Sequence, residues 1–316
     1  MNFIIQKSFF DHKDYTFLHT KLGNASSSTV YLVERKKDQK KFALKTFNKI
    51  NQDDANDQMR IMNAIAILQK VHHLAIINFY GLNFISYCDP KQFQPSILLD
   101  FYGNGSLYDM IKRECHGLAD FEWSQTKKCI NIIGIAHAIK YLHKNGIIHR
   151  DIKTENVILD YDLYPKLIDF DWSVAFTHPL TNDMEFDFQY KVGTPIYMAP
   201  ELLKDNKKYG PAIDVYAYSF CIYEILNGIP LYLDKFAVHY NELTEKILNG
   251  ERPILDNHIF TEKMQDLISQ CWNEDPLARP SFDEIYEKLS TDYKSYFNDD
   301  IDECEIECYI DDLNSI

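Results

Sequence analysis

Glycine and proline are scarce, 11 of each in 316 residues, where glycine alone usually makes up about 7% of a globular chain. That excludes collagen-like and low-complexity architectures and leaves few positions for backbone that only glycine adopts readily. Basic residues are also in the minority: 33 Lys and Arg face 47 Asp and Glu, a formal net charge of −14. A nucleic-acid surface needs a basic face, so that class of partner is set aside. No apolar run approaches the roughly 20 residues of a membrane span, so no membrane association is expected. The opening MNFIIQKSFF is too short and too interrupted for a secretory signal. The seven cysteines include no C-x-x-C pair, and only Cys304 and Cys308 lie close together. Scattered thiols of this kind are expected to be reduced, as in a cytoplasmic protein. There is no internal repeat.

What is present is an ordinary globular mixture, 46% hydrophobic and 25% charged. Strands are expected at 29–35 and 40–47, joined by the turn Lys37-Asp38-Gln39, and again at 76–86 and 95–101. Between them Met59, Met62, Ile65 and Leu68 recur at helical spacing within 53–71. After Gly105 the pattern becomes helical. Ser124 is placed to cap a helix that stops at Gly146, and further helices are expected at 213–228, 261–272 and 282–290. A strand-rich piece with one main helix, followed by a helix-rich piece, is an α+β pattern of two lobes. The expected division is an N-terminal extension (1–14), a small lobe (15–101), a hinge near 100–105, a helical lobe (106–290) and a tail (291–316). The tail carries nine acids against one lysine. It reads as a solvated or disordered tail or as a docked strand or helix that regulates the catalytic lobe.

Residues 147–172, IIHRDIKTENVILDYDLYPKLIDFDW, carry the chemistry. Asp151 stands two positions before Lys153 and five before Asn156, and a second acid, Asp169, sits in a short apolar run. Phosphoryl transfer from a nucleotide needs such parts: a carboxylate to orient a hydroxyl, oxygen ligands for magnesium and a cation beside the moving phosphate. The block resembles the catalytic and magnesium-binding loops of the eukaryotic protein kinases. With motifs in family order from about Leu18 to Leu289, the resemblance covers nearly the whole chain. It implies the bilobal α+β protein kinase fold, ATP and Mg2+ as cofactors, and a protein substrate.

Carried over residue by residue, the resemblance makes Asp151 the catalytic base, Lys153 the cation beside the γ-phosphate, and Asn156 and Asp169 the metal ligands. Lys45, in Phe42-Ala43-Leu44-Lys45, would pair with the α- and β-phosphates. Leu22 and Gly23 open the phosphate-covering loop. Val30 and Ala43 on one side and Ile158 on the other would sandwich adenine. Leu99 matches the gatekeeper, and Asp100 to Tyr102 the hinge segment whose backbone meets the base. Arg150 would bind an activation-loop phosphate, for which Thr177 and Thr181 are the candidate acceptors, with Tyr190 and Thr194 as further loop hydroxyls. Thr194 is read as the substrate platform. Leu68, Phe79, His149 and Phe170 match a regulatory stack. Glu201 should pair with Arg279 as a buried strut, and Asp214 should anchor the catalytic loop. Lys153 with Thr194 suits Ser or Thr acceptors, and the CW…RPSF segment most resembles the tyrosine-kinase-like group of Ser/Thr kinases.

Three places depart from the family. The loop expected as G-x-G-x-x-G-x-V keeps only Gly23, with Ala25 and Ser28 at the later glycines. The helix glutamate that should hold Lys45 falls at Ala64. Asp171 replaces the glycine after Phe170, where a β-carbon is expected to resist the backbone; its carboxylate could reach toward Lys45 or the metal in place of the missing glutamate. Two functions follow: an ATP-dependent Ser/Thr protein kinase acting in intracellular signalling, or a pseudokinase that binds nucleotide and acts through a regulatory protein partner.

Overall fold

The structure, a computed structural model, describes residues 9–24, 28–47, 55–87, 89, 91–188, 192–204, 208–233, 240–297 and 300–315. The chain divides into two units, Met1–His72 with Ile77–Tyr102, and His73–Ile76 with Gly103–Ile316. Among the described residues no helix is long and apolar enough to cross a membrane.

The first unit is built on one five-stranded antiparallel sheet in the order β1-β2-β3-β5-β4. Its strands are β1 (Tyr15–Asn24), β2 (Ser28–Arg35), β3 (Lys41–Phe47), β4 (Phe79–Ile85) and β5 (Phe93–Asp100). Thr29-Val30-Tyr31-Leu32-Val33 supplies the β-branched and aromatic side chains that favour a pleated, half-buried surface. Register pairs Val30 with Lys45 and Ala43 with Leu99. Phe10, Tyr15, Val33, Phe42, Leu44 and Leu98 close one core, with Tyr15 edge-on to Phe42 at 5.8 Å. Phe10 belongs to the stretch expected as an extension, yet it is buried and its N–H donates to the Leu82 carbonyl at 3.2 Å. Helix α1 (Ala55–Leu68) buries Ile61, Ala64, Ile65 and Leu68.

The second unit is helical. Its long elements are α2 (Leu107–Cys115), α3 (Gln125–Lys144), α5 (Ala212–Asn227), α6 (Tyr240–Leu248), α7 (Glu262–Cys271), α8 (Phe282–Thr291) and α10 (Glu303–Asn314). Short helices α4 (Pro200–Leu203) and α9 (Tyr293–Tyr296) lie between them. Short antiparallel strand pairs accompany the helices: β6 (Ile147–Ile148) with β9 (Val174–Ala175), β7 (Val157–Leu159) with β8 (Pro165–Leu167), and β10 (Phe186–Asp187) with β11 (Lys208–Tyr209). Helix α3 starts where Ser124 accepts from the Lys127 amide and ends at Asn145, before Gly146 at φ +74°. Helix α5 is buried on every face from Ala212 to Ile225, which makes it the axis of the unit.

The acidic end is not a solvated strand of charge. Helix α10 buries Ile306, Tyr309, Ile310 and Leu313, spaced for one helical face, and packs on α3. Its acids find partners in the same unit: Glu305 takes Lys127 at 2.5 Å and the Tyr164 hydroxyl at 2.9 Å. A β-carbon at Gly134 on α3 would collide with the Tyr309 hydroxyl and stand 2.6 Å from Pro165 Cγ, so glycine there is what lets α10 approach.

Candidate active site

The turn between β6 and β7 is placed by a carboxylate beneath it. Asp214, in the first turn of α5, is 1% exposed and accepts from the backbone amides of His149 and Arg150 and from His143 Nε2, each at 2.9 Å. Burial alone would raise its pKa, but the His143 hydrogen bond and charge, with the amide of His149, hold it below the usual carboxylate value. Two adjacent N–H groups fixed to one carboxylate hold Arg150 at φ +72°, a left-handed conformation that a residue with a β-carbon seldom takes unaided.

Asp151 follows directly and is 7% exposed. One oxygen, Oδ1, accepts from the Thr194 hydroxyl at 2.9 Å; the other, Oδ2, accepts from Asn156 Nδ2 at 2.8 Å and lies 3.0 Å from Lys153 Nζ. Lys153 Nζ also donates to Thr194 Oγ1 at 2.7 Å. Asn156 Nδ2 donates a second time to the Asp151 carbonyl, at 2.8 Å. The result is a carboxylate aimed at a hydroxyl, with an ammonium against both. Thr194 marks how such a site receives an alcohol.

Because Asn156 spends its amide nitrogen on Asp151, its carbonyl oxygen is turned the other way. With the carboxylates of Asp151 and Asp169, the available donors are all hard oxygen, the set that magnesium takes. Among the described residues no group of three or more His, Cys, Asp and Glu side chains is placed to hold a metal. Asp169 stands at φ +65°, followed by Phe170, 1% exposed and edge-on to His149 at 5.1 Å. His149 Nε2 in turn lies 3.0 Å from the Ile168 carbonyl. The unusual backbone therefore falls at Asp169, an aspartate being among the residues most tolerant of it. Asp171 is not among the positive-φ residues, so the strain expected from a β-carbon there is absent; its side chain is buried.

Arg150 donates through Nη1 to the Trp172 carbonyl at 3.3 Å and through Nη2 to the Tyr209 hydroxyl, with its guanidinium 4.4 Å from the Phe188 ring centre. Burial lowers its pKa, an effect opposed by Tyr209 and Asp214. Glu201 and Arg279 meet in a two-pronged pair at 2.7 and 2.8 Å, and Arg279 also donates to the carbonyls of Ala212 and Asn273. Thr177 and Thr181 are both exposed; Ile158 is half-buried in β7.

The remaining expected residues lie in the first unit. Lys45 is 7% exposed on β3, its ammonium 5.5 Å from the Phe47 ring centre. Leu99 and Asp100 are buried at the end of β5, and the Asp100 carboxylate accepts from Asn78 at 2.8 Å, from Lys40 at 3.3 Å and from Tyr102 at 3.4 Å. Leu22 is exposed, while Gly23, Val30, Ala43 and Tyr102 are half-buried. A β-carbon at Gly23 would meet nothing within 4 Å, so no close approach demands glycine there. Ala64 is 1% exposed on α1. Ala25 and Tyr190 lie outside the described residues.

Sequence reasoning missed a second carboxylate group behind the catalytic turn. Glu224, 1% exposed on α5, accepts from Thr154 Oγ1 at 2.9 Å, from the Tyr197 hydroxyl at 2.6 Å and from the Leu231 amide at 2.6 Å. Burial pushes its pKa up to about 7 against those hydrogen bonds. Glu155, 3.4 Å from the same Tyr197 hydroxyl, is raised too, again chiefly by burial. The signal was a lone acid in the apolar run VYAYSFCIYEIL.

A family model for the protein kinase domain matches residues 17–289. The chain is 31% identical over 241 residues to a probable serine/threonine-protein kinase, gdt4, of Dictyostelium discoideum, covering 72% of this chain and 13% of that protein. It is 29% identical over 279 residues to the serine/threonine-protein kinase CLA4 of Candida albicans, covering 87% of this chain and 26% of the relative. An Arabidopsis thaliana protein kinase and PP2C-like domain-containing protein is 33% identical over 220 residues, 61% of this chain and 32% of its own length. The chain thus spans less than a third of the length of these relatives.

Proposed function

Because the chain belongs to the protein kinase family, we propose that it transfers the γ-phosphate of ATP to serine or threonine hydroxyls of proteins, as a member of the tyrosine-kinase-like group. The observation that carries the proposal is the meeting of Asp151, Lys153, Asn156 and Thr194 within hydrogen-bonding distance.

In this reading Asp151 orients the acceptor hydroxyl and takes its proton as the oxygen attacks the γ-phosphorus, while the bond from that phosphorus to the bridging oxygen breaks and ADP leaves. Lys153 sits beside the carboxylate, where a moving phosphoryl group gathers negative charge. Asn156 and Asp169 would hold magnesium, which supplies charge neutralisation at the phosphate oxygens. Lys45 would pair with the other phosphates, Leu22, Gly23, Val30, Ala43, Leu99 and Ile158 would enclose the base, and Asp100 to Tyr102 would meet its edge. The assignment to Ser/Thr acceptors draws on the names of the relatives and on Lys153 with Thr194. A role in signalling and a cytoplasmic location complete the proposal.

Radiolabelled transfer to a generic protein acceptor tests it against Asp151→Asn, which keeps the hydrogen-bonding shape but cannot take the proton. A loss of at least 10²-fold is expected, since removing one preorganised group of an active site costs on the order of 10²–10³ in rate. No difference from wild type would leave a nucleotide-responsive scaffold as the better reading.

A further inference from the structure

The geometry points to Tyr209 and Phe188 as positioning residues that hold Arg150, and with it the segment from Trp172 to Phe188, by an arginine–aromatic clamp that needs no phosphate. It rests on the kinase reading only for what the held segment serves.

An arginine beside a reactive carboxylate is an expected docking point for a phosphorylated loop. Here both terminal nitrogens are engaged, Nη1 by the Trp172 carbonyl and Nη2 by the Tyr209 hydroxyl. The guanidinium lies 4.4 Å from the Phe188 centre and 5.4 Å from that of Tyr209, within cation–π range of both. Those two rings stack on each other at 4.2 Å. Phe188 meets Phe186 edge-on at 6.4 Å, and Phe186 stacks on Phe176 at 3.8 Å. One ring from within the segment and one from after it thus close on the arginine that precedes Asp151, with Phe186 and Phe176 behind them.

The backbone is tied down in the same way. Phe186 pairs with Tyr209 and Asp187 with Lys208 in β10 and β11. Gly210 packs so closely on this pair that a β-carbon would overlap the Met184 carbonyl oxygen. Upstream, the Phe176 amide donates to the Gly146 carbonyl at 2.7 Å and the Leu180 amide to that of His143 at 3.0 Å. Asn182 donates to the carbonyls of Arg279 and Pro280, both at 3.1 Å. Of the two threonines expected to carry phosphate, Thr181 donates to Asp183 at 2.5 Å. A phosphate there would lie against a carboxylate, which is repulsive. Thr177 is exposed.

The test uses the full chain after phosphatase treatment and reads amide hydrogen exchange over 176–188 and 208–209, together with transfer to myelin basic protein. Wild type and the double variant Thr177→Ala/Thr181→Ala are expected to keep the same protection and to match in transfer within about twofold. Tyr209→Phe keeps the ring but loses the hydrogen bond to a charged group, so exchange over 184–188 should quicken on the order of tenfold. Tyr209→Leu should lose protection further, and kcat should fall in both variants while the KM for ATP stays fixed. A general loss of stability would instead quicken exchange in α5 and α3 as well. If Tyr209→Leu does not fold, Tyr209→Phe carries the comparison. Loss of protection on dephosphorylation or in the double alanine variant overturns the clamp, and so does wild-type exchange in the Tyr209 variants. Exchange as expected in a chain whose transfer equals that of Asp151→Asn sinks the kinase reading and leaves the clamp standing.

Discussion

Glu224 makes the stability of the helical unit depend on pH across the physiological range. Its carboxyl is fully enclosed on α5, and burial raises its pKa from 4.5 to about 7, against the opposing hydrogen bonds of Leu231, Tyr197 and Thr154. Between those two values the folded chain binds more protons than the unfolded one, so stability falls as pH rises. The contribution is complete below pH ~4.5 and lost as pH climbs through the folded value. A shift of that size is worth about 3 kcal/mol in all, of which about 2.5 kcal/mol falls between pH 5 and pH 8. Glu224→Gln keeps the shape and removes the proton. Denaturation of both proteins across that range should therefore show wild type gaining about 2.5 kcal/mol on the variant at pH 5 relative to pH 8. For a unit of some 200 residues that is a change in the Tm gap of roughly 5–10 °C. A gap that stays constant from pH 5 to pH 8 would refute the reasoning, because it would mean Glu224 keeps one charge state throughout.

Breaking the Glu201–Arg279 pair should be far more costly than a surface ion pair, since the Arg279 side chain is 0% exposed and Glu201 12%. Arg279→Met leaves Glu201 without its partner and is expected to lose about 3–5 kcal/mol in urea denaturation; a loss under about 1 kcal/mol would place the pair among surface contacts. Gly134→Ala should drive Tyr309 outward and speed hydrogen exchange over 303–314, whereas Tyr309→Phe should be neutral or mildly stabilising. The Tyr309 hydroxyl is buried without a hydrogen-bond partner among the described residues, and removing such a group relieves a desolvation cost of about 1–3 kcal/mol. The double variant should be less damaged than Gly134→Ala alone, and simple additivity would show that the two positions do not meet.

Elements whose cues are local could be read from the chain. Ser124 and Gly146 bracket α3 as their capping chemistry suggests, and α5, α7 and α8 lie within a residue or two of their expected bounds. Helix α2 was missed although Ser106 and Asp109 form a reciprocal capping box, a four-residue cue that is short and easily passed over. Strand β1 was missed because its pairing with β2 shifts register between Phe17 and Gly23, which breaks the alternation that reveals a strand. In α10 the helical stripe from Ile306 to Leu313 was present in the letters but lay under a run of acids. For the candidate site, Asp151, Lys153 and Asn156 fall within six consecutive residues and their relation follows from spacing. Thr194, Tyr209, Asp214 and Glu224 reach the same loop only through the packing of distant segments, which no one-dimensional spacing encodes.

Mounting the reactive turn on Asp214 has a consequence for how the molecule tolerates change. The turn takes its position from a fixed point in the first turn of the unit's central helix, through its own main-chain amides. Side chains around the turn can therefore be exchanged in evolution or by engineering without moving the frame, much as tools are swapped in one chuck. The converse is a single point of failure. A change at Asp214, or one that rotates α5, misaligns every group the turn carries at once, although none of those groups has itself been altered.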